Sequence, residues 1–366
     1  MATASHPGGM NALVPVLKQL VADENLEVLI FGQQFTVAAL QTVGLPFMPL
    51  SEMGLPDVSC QSMEVLLAAA APDLILLGTA AQQETEELIE HSLVQAGRKA
   101  KIPTLSVLDF WAGYVRRFTD QRTGQELDCL PDKIAVMDSI AKHEMLDLGF
   151  PPEKLVVTGN PHYDNLAQKG QNFSCQDRQK IREKIGFLPG TVFFFAGNVF
   201  EIEKEQYGYW DLDIINLIIH ALPMLPNVYI AIKLHPRMPV QDIQKISKAI
   251  APVTDRVKLV TNIDSQTLAL AADLTIVGFS TVGIEAVYMG RPCVSLQPGL
   301  QGKDQLIISR KKVISAGYVP EGCKAILNLA QYPQYRYLIV EKTTEFTTDG
   351  KATSRVAELI YSMIPD

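Results

Sequence analysis

The residues best suited to chemistry lie in Gly278-Phe279-Ser280-Thr281. This turn joins an apolar run, Leu274 to Val277, to a segment of helical spacing, Val282 to Met289. The apolar run reads as a buried strand. Ile284, Val287 and Tyr288 fall on one side of the helix, Gly290 ends it, and Arg291-Pro292 leads into a second strand, Cys293 to Leu296. A turn at the carboxyl end of a parallel strand that opens a helix presents free backbone N–H groups and the positive end of the helix dipole, which together favour phosphate. Ser280 and Thr281 add hydroxyl donors. Glu285, one turn into the helix, can accept hydrogen bonds from a ribose diol. The plain alternative is a Ser/Thr cap on an ordinary α/β unit.

A second stretch, Tyr229-Ile-Ala-Ile-Lys-Leu-His-Pro-Arg237, weighs against the plain alternative. It reads as another buried strand ending on His235-Pro236, with Lys233 and Arg237 on either side. That combination suggests an anion-facing turn, and a histidine that protonates near neutrality can follow the charge of a leaving phosphate. A third candidate is Asp109, at the carboxyl end of the strand Pro103 to Asp109. Ligands of open α/β sheets bind at such ends, so Asp109 is a candidate for binding or general-base work. A turn-capping Asp is the alternative. Arg116 and Arg117 follow, either bringing positive charge to the site or forming a solvated face.

The pattern Lys-Leu-His-Pro, then strand, Ser/Thr, Gly-x-Glu-Ala helix and Gly-x-Pro, resembles the C-terminal half of GT-B-fold glycosyltransferases. The nearest relatives by this pattern are the CDP-glycerol glycerophosphotransferases, capsule sialyltransferases, lipid A disaccharide synthase and UDP-N-acetylglucosamine 2-epimerase. The resemblance implies two Rossmann-like domains with parallel sheets facing across a cleft. It implies that His235, Arg237, Ser280, Thr281, Gly283 and Glu285 hold a nucleotide-activated donor. By position it adds Gly197 and Asn198, in the loop after the first strand of the second domain, and Ile263, in the segment that faces the base. It also places the N-terminal loop, His6, Gly8 and Gly9, in the cleft. The Gly-Ser-Arg of lipid A disaccharide synthase is absent after Ala196. The His-Val-Glu-Ala-Gly-type motif of the epimerases is absent too, and Val-Leu-Asp-Phe-Trp stands around Asp109 instead.

The 366 residues suffice for two domains of ordinary size, and 47% hydrophobic with 20% charged residues is the balance of a chain with large cores. A net charge of −8, with no basic run to offset it, argues against a nucleic-acid binder. The five cysteines show neither metal-site nor disulfide spacing, which makes a reducing, cytoplasmic setting the default. The first residues have neither a basic segment nor an apolar core, so no signal peptide is expected. No uninterrupted apolar stretch reaches the roughly 18 residues of a spanning helix. Peripheral contact with the inner face of a membrane stays open, as does oligomeric state.

Short strands alternate with helices along the chain, the signature of parallel βαβ units. Expected strands include Leu26 to Phe31, Leu74 to Thr79, Lys133 to Met137, Thr191 to Ala196 and Val257 to Val260. The strand before His6 looks unusually short. The polar stretch Gln168 to Cys175 reads as a linker. This organisation gives an N-terminal, acceptor-side domain over 1–167, a nucleotide-donor domain over 168–345, and a terminal helix over 346–366 that crosses back to the first domain. Val356, Leu359, Ile360 and Met363 are the inward face of that helix.

The expected activity is metal-independent transfer of a sugar or related group, without a cofactor, from a nucleotide-activated donor to a sugar, lipid or glycan acceptor. The expected base is Asp109 or His6. The alternatives are a sugar-nucleotide epimerase, against which the residues around Asp109 count, and a non-catalytic nucleotide-binding accessory protein of the same shape.

Overall fold

The computed structural model describes the chain except residues 34–35, 82–87, 188, 303–314, 317–318, 343–345, 347 and 365–366. The chain divides into two compact units. Unit 1 comprises Met1–Asp164 with Thr348–Asp366, and unit 2 comprises Asn165–Thr347.

Unit 1 is built on β1 (Ala2–Thr3), β2 (Ile30–Gly32), β3 (Met48–Pro49), β4 (Ile75–Leu77), β5 (Thr104–Val107), β6 (Lys133–Val136) and β7 (Leu155–Val157). They form one parallel sheet in the order β3-β2-β1-β4-β5-β6-β7. The expected strand Leu26 to Phe31 pairs only from Ile30 onward. The short first strand is the central one. Ala2 pairs with Ile30 on one side and Leu76 on the other, and Thr3 with Phe31 and Leu77. Small side chains suit that position. Ala4, just beyond the strand, is fully buried, and a Cβ on Gly78 would lie 2.8 Å from the Ala4 methyl.

The helix Pro7–Val21 buries Met10, Leu13, Val16, Leu17 and Leu20. The last helix of the chain, Ala352–Met363, joins the same core through Val356, Ala357 and Ile360, with Leu359 and Met363 partly buried against it. One carboxylate fixes the start of that helix. Asp164 accepts hydrogen bonds from the Ala352 amide at 3.0 Å and from the Thr353 amide and hydroxyl, each at 2.7 Å. It does the work of an N-cap from far away in the chain.

Unit 2 is built on β8 (Thr191–Ala196), β9 (Val228–Lys233), β10 (Val257–Leu259), β11 (Leu274–Val277), β12 (Cys293–Leu296) and β13 (Ser315–Ala316). They form a second parallel sheet in the order β10-β9-β8-β11-β12-β13. Phe193, Phe194 and Phe195 are all fully buried, as expected of a strand covered on both faces. The strand order reverses between β1 and β4 in unit 1 and between β8 and β11 in unit 2. Ligands of such sheets bind at these switch points.

Two expectations need correction. The polar stretch read as a linker is largely a helix, Leu166–Asn172, after which Ser174 and Asp177 cap the helix Cys175–Ile185 reciprocally. The polar helix docks through Gly170, where any Cβ would collide with the Met289 carbonyl. A helix held by close backbone approach needs no apolar stripe to announce it. The helix Pro333–Lys342 was not expected. The sequence also marks an element over Lys311 to Tyr318, of which only β13 lies within the described residues.

Candidate functional site

At the switch point of unit 2, Gly197-Asn198 follow β8, and the helix Asp211–Ala221 begins only after a loop that carries two short helical turns, Glu201–Glu203 and Lys204–Tyr207. The fully buried Asp211 side chain turns back into this loop. Its Oδ1 accepts hydrogen bonds from the amides of Asn198 at 3.2 Å and Val199 at 3.0 Å. Its Oδ2 has no hydrogen-bond partner among the described residues and fills the place a Cβ would take on Gly197. Burial pushes the Asp211 carboxyl up to about 7, against the pull of the two amides, and the charges of Glu203 and Asp242 add to the rise. Asp213 accepts from the Trp210 amide at 3.0 Å. The first turn of this helix thus carries two acidic residues of its own, which oppose an anion there. Gly197 and Asn198 are where the alignment by position put them, at the end of β8, and their backbone faces Asp211.

The second helix at this switch point, Thr281–Tyr288, is different. Ser280 caps it, its hydroxyl accepting from the Val282 amide at 3.4 Å, and no acidic residue lies in the first turn. Thr281 is exposed. Glu285 sits one turn on, half-buried, and its Oε2 accepts a hydrogen bond from Gln266 Nε2 at 2.9 Å. Gly283 has a packing role. A Cβ there would lie 2.9 Å from Val277 and 3.0 Å from the Cys293 sulfur, so the glycine lets the helix sit close on β11 and β12. Ile263 is buried ahead of the helix Ser265–Ala271, which Asp264 caps at Thr267.

His235 follows β9. Its Nδ1 accepts the Arg237 amide at 3.1 Å, which places the neutral ring's proton on Nε2. Burial, and then the charge of Arg237, lower the histidine below its ordinary value. Both effects favour the neutral ring over the imidazolium that the sequence suggested. A phosphate beside it would act in the opposite direction. The Arg237 side chain is exposed, and Lys233 Nζ donates to the Thr261 carbonyl at 3.1 Å.

Of the segment between β8 and Asp211, the resemblance named only Gly197 and Asn198 as site residues, and the contacts of its remainder were not foreseen. The Glu201 amide donates to Asp242 at 3.0 Å, the Tyr207 and Phe279 rings stand 4.8 Å apart, and the Gln301 amide donates to the Tyr207 carbonyl at 2.9 Å. These contacts tie the loop to the helix after β9 and to the turns after β11 and β12. Phe200 brings its ring to 5.5 Å from that of His235. Aromatic residues within a polar loop were the one available signal.

At the switch point of unit 1, Asp109 Oδ1 pairs with Arg117 Nη1 at 2.8 Å and accepts the Thr79 hydroxyl at 3.1 Å. The same Arg117 nitrogen bonds the Thr79 carbonyl, and Arg117 Nε donates to Ala112 O at 3.0 Å. Arg117 is thus part of the site's frame rather than a solvated face. Asp109 Oδ2 lies against Gly8, where a Cβ would be 2.6 Å away. Gly9 packs its backbone on Gly78, with a Cβ position 3.4 Å from the Gly78 Cα. His6 is the N-cap residue of the helix Pro7–Val21 and makes no side-chain cap hydrogen bond. Ser5 next to it donates its amide, at 2.8 Å, and its hydroxyl to the buried Glu90. The structure therefore brings Asp109 together with Gly8 in unit 1. In unit 2 it gathers Gly197, Asn198, His235, Ser280, Thr281 and Glu285 along the carboxyl ends of β8, β9 and β11.

No protein-family model and no curated protein sequence matches the chain. Solved structures match it along its whole length. UDP-GlcNAc 2-epimerase from Neisseria meningitidis, bound to UDP-GlcNAc, superposes with a TM-score of 0.71 at 15% identity over 99% of both chains. MnaA of S. aureus in its UDP co-structure gives 0.70 at 14% identity, over 99% of this chain and 95% of the other. A glycosyltransferase from Rickettsia africae gives 0.64 at 13% identity, over 100% and 98%. At such identities the likeness is one of architecture, and together with the two switched parallel sheets it shows that this chain has the GT-B fold.

Proposed function

We propose that the protein is an enzyme acting on a nucleotide-activated sugar, with the donor held on unit 2. In this reading the diphosphate sits at the N-terminus of the helix Thr281–Tyr288, held by the positive end of its dipole and by Ser280 and Thr281. His235 Nε2 donates from the end of β9, Glu285 takes the ribose, and Gly197, Asn198 and Ile263 line the nucleotide. The contrast between two helix starts in one unit carries the reading. The start at Asp211 carries two acidic residues in its first turn, whereas the one at Ser280 has none and remains suited to an anion.

The proposed reaction is glycosyl transfer without a metal. Helix amides and a neutral donor imidazole can stabilise a leaving nucleoside diphosphate through preorganised dipoles. Asp109 is the first proposed proton acceptor and His6 the second. The epimerase reading is favoured by one observation, the high similarity to UDP-GlcNAc 2-epimerase structures. The aspartate, phenylalanine and tryptophan following β5 weigh against it.

A melting panel with UDP, CDP, GDP and UDP-GlcNAc tests the donor site, since a ligand at about 100 times its dissociation constant stabilises the native state by roughly 2.7 kcal/mol. A nucleotide-selective shift that His235→Ala and Glu285→Ala both abolish is expected. A panel without any shift, in folded protein, would overturn the reading. Proton NMR of UDP-GlcNAc incubated with the protein then separates the reactions. Epimerisation at C2 without release of UDP would establish the second reading, and UDP release that depends on added acceptor the first.

A further inference from the structure

Three arginines gather at the opposite, amino-terminal edge of the unit 2 sheet, around a single carboxylate. β11 and β12 are paired with Thr275 beside Cys293, and so Asp273 and Arg291 lie side by side just ahead of the two strands. Asp273 is fully committed elsewhere. Its Oδ2 takes Arg182 Nη2 at 2.8 Å and the Val192 amide at 2.8 Å, and its Oδ1 faces Arg178 Nη1 at 3.5 Å. Arg178 and Arg182 also serve the end of the helix Ser265–Ala271. Arg178 Nη2 donates to Ala272 O at 3.1 Å and Arg182 Nε to Ala271 O at 2.8 Å.

Arg291 is the surplus cation. It is half-buried, its Nε is shielded from solvent, and among the described residues its guanidinium has neither a hydrogen bond nor an ion pair, its backbone amide alone being engaged, by the Ala286 carbonyl. Burial, and then the charge of Arg178, act against its guanidinium, while Asp273 acts in its favour. Cys175 opens the helix Cys175–Ile185, whose N-terminal end adds partial positive charge. The nearby Asp177 carboxylate is engaged by the Ser174 amide at 3.1 Å and hydroxyl at 2.7 Å. A guanidinium withdrawn from water without a partner is costly, and a second guanidinium beside it makes it more so. Planar forks of this kind match tetrahedral oxyanions in a bidentate way.

We propose that Arg291 and Arg178, beside the start of the helix Cys175–Ile185, form a binding site for the phosphoryl group of a small ligand. The site lies at the other end of the strands from the nucleotide site and does not depend on the proposed activity. Arg291 is its dedicated residue. Arg178 is shared with the fold, so its substitution is not a clean test.

The probe is inorganic phosphate, titrated into the full-length protein at constant ionic strength against chloride and followed by melting and calorimetry. Wild type and Ser280→Ala are expected to show the same saturable stabilisation at up to about 10 mM phosphate. Arg291→Gln should lose that response, with affinity at least about tenfold weaker, and Arg291→Lys should retain a weaker one, having the charge without the fork. In phosphate-free buffer Arg291→Gln should melt no lower than wild type, because it removes an unpaired charge. An equal phosphate response in wild type and Arg291→Gln, or no saturable response in wild type, would overturn the proposal. A response lost in Ser280→Ala but kept in Arg291→Gln would assign phosphate to the nucleotide site and overturn it equally.

Discussion

The two units use the same strand order and finish their switch points in opposite ways. In unit 1 the strand ends are crossed by an internal ionic frame. Arg117 clamps Asp109 and Thr79, and Glu90 holds Ser5. In unit 2 the fully buried carboxylate of Asp211 is folded back on the end of β8, and the neighbouring helix start at Ser280 is left without acid. Topology sets where a ligand can bind, and the placement of two or three carboxylates decides which charge it carries. In the proposed reading unit 2 takes an anion, whereas unit 1 presents a carboxylate held in a fixed orientation.

Breaking the unit 1 frame should have the largest effect. Arg117→Gln leaves Asp109 mostly buried without its cation, and breaking such a pair is expected to lower stability by about 3 kcal/mol, read by urea unfolding. In unit 2, Ser280→Asp gives an equally good helix cap while placing a negative charge where phosphate is proposed. Folding stability should hold or rise by about 0.5 kcal/mol, and UDP affinity should fall about 100-fold, or roughly 2.7 kcal/mol. Unchanged UDP affinity would leave Ser280 as a cap and nothing more.

Asp211 should impose a pH dependence. Its folded value, about 7, stands above the ordinary 3.8, so the folded state holds the proton more tightly than the unfolded chain. Its contribution to stability is full below pH 4 and is lost as pH rises toward 7. Asp211→Asn should flatten the fall in stability between pH 4.5 and 8 by on the order of 2 kcal/mol, measured by melting in parallel buffers. An unchanged slope would show that other groups govern it. The smallest effect should come from Gly8→Ala, where the new methyl must displace the Asp109 carboxylate, at a cost of about 1 kcal/mol.

Much of the unit 2 site was legible because it rests on local grammar. An apolar run ending in Ser280-Thr281, and another ending in His235-Pro236, each announce a strand end by themselves. The frame of unit 1 was not legible in this way. Asp109 and Arg117 stand eight residues apart across an irregular turn, and nothing in their spacing says that they face each other rather than solvent. Asp211 was not singled out, since its burial depends on a loop that doubles back. Two-residue β1 was faint for a related reason. A strand flanked on both sides needs little length of its own, because its neighbours supply the register. The helix Leu166–Asn172 was hidden because it is polar and docks through one glycine.

The clasp at Asp164 bears on the order in which the molecule can assemble. The carboxylate and the helix it starts are 188 residues apart, and Val356 and Ile360 complete a core whose other walls are supplied by Leu13, Val16 and Leu17. As the chain emerges from the ribosome, unit 2 can close on contiguous sequence, while unit 1 waits with an apolar groove uncovered until Ala352–Met363 has been made. The half synthesised first is therefore the half finished last, and the interval is when it is most exposed to aggregation and most dependent on chaperones.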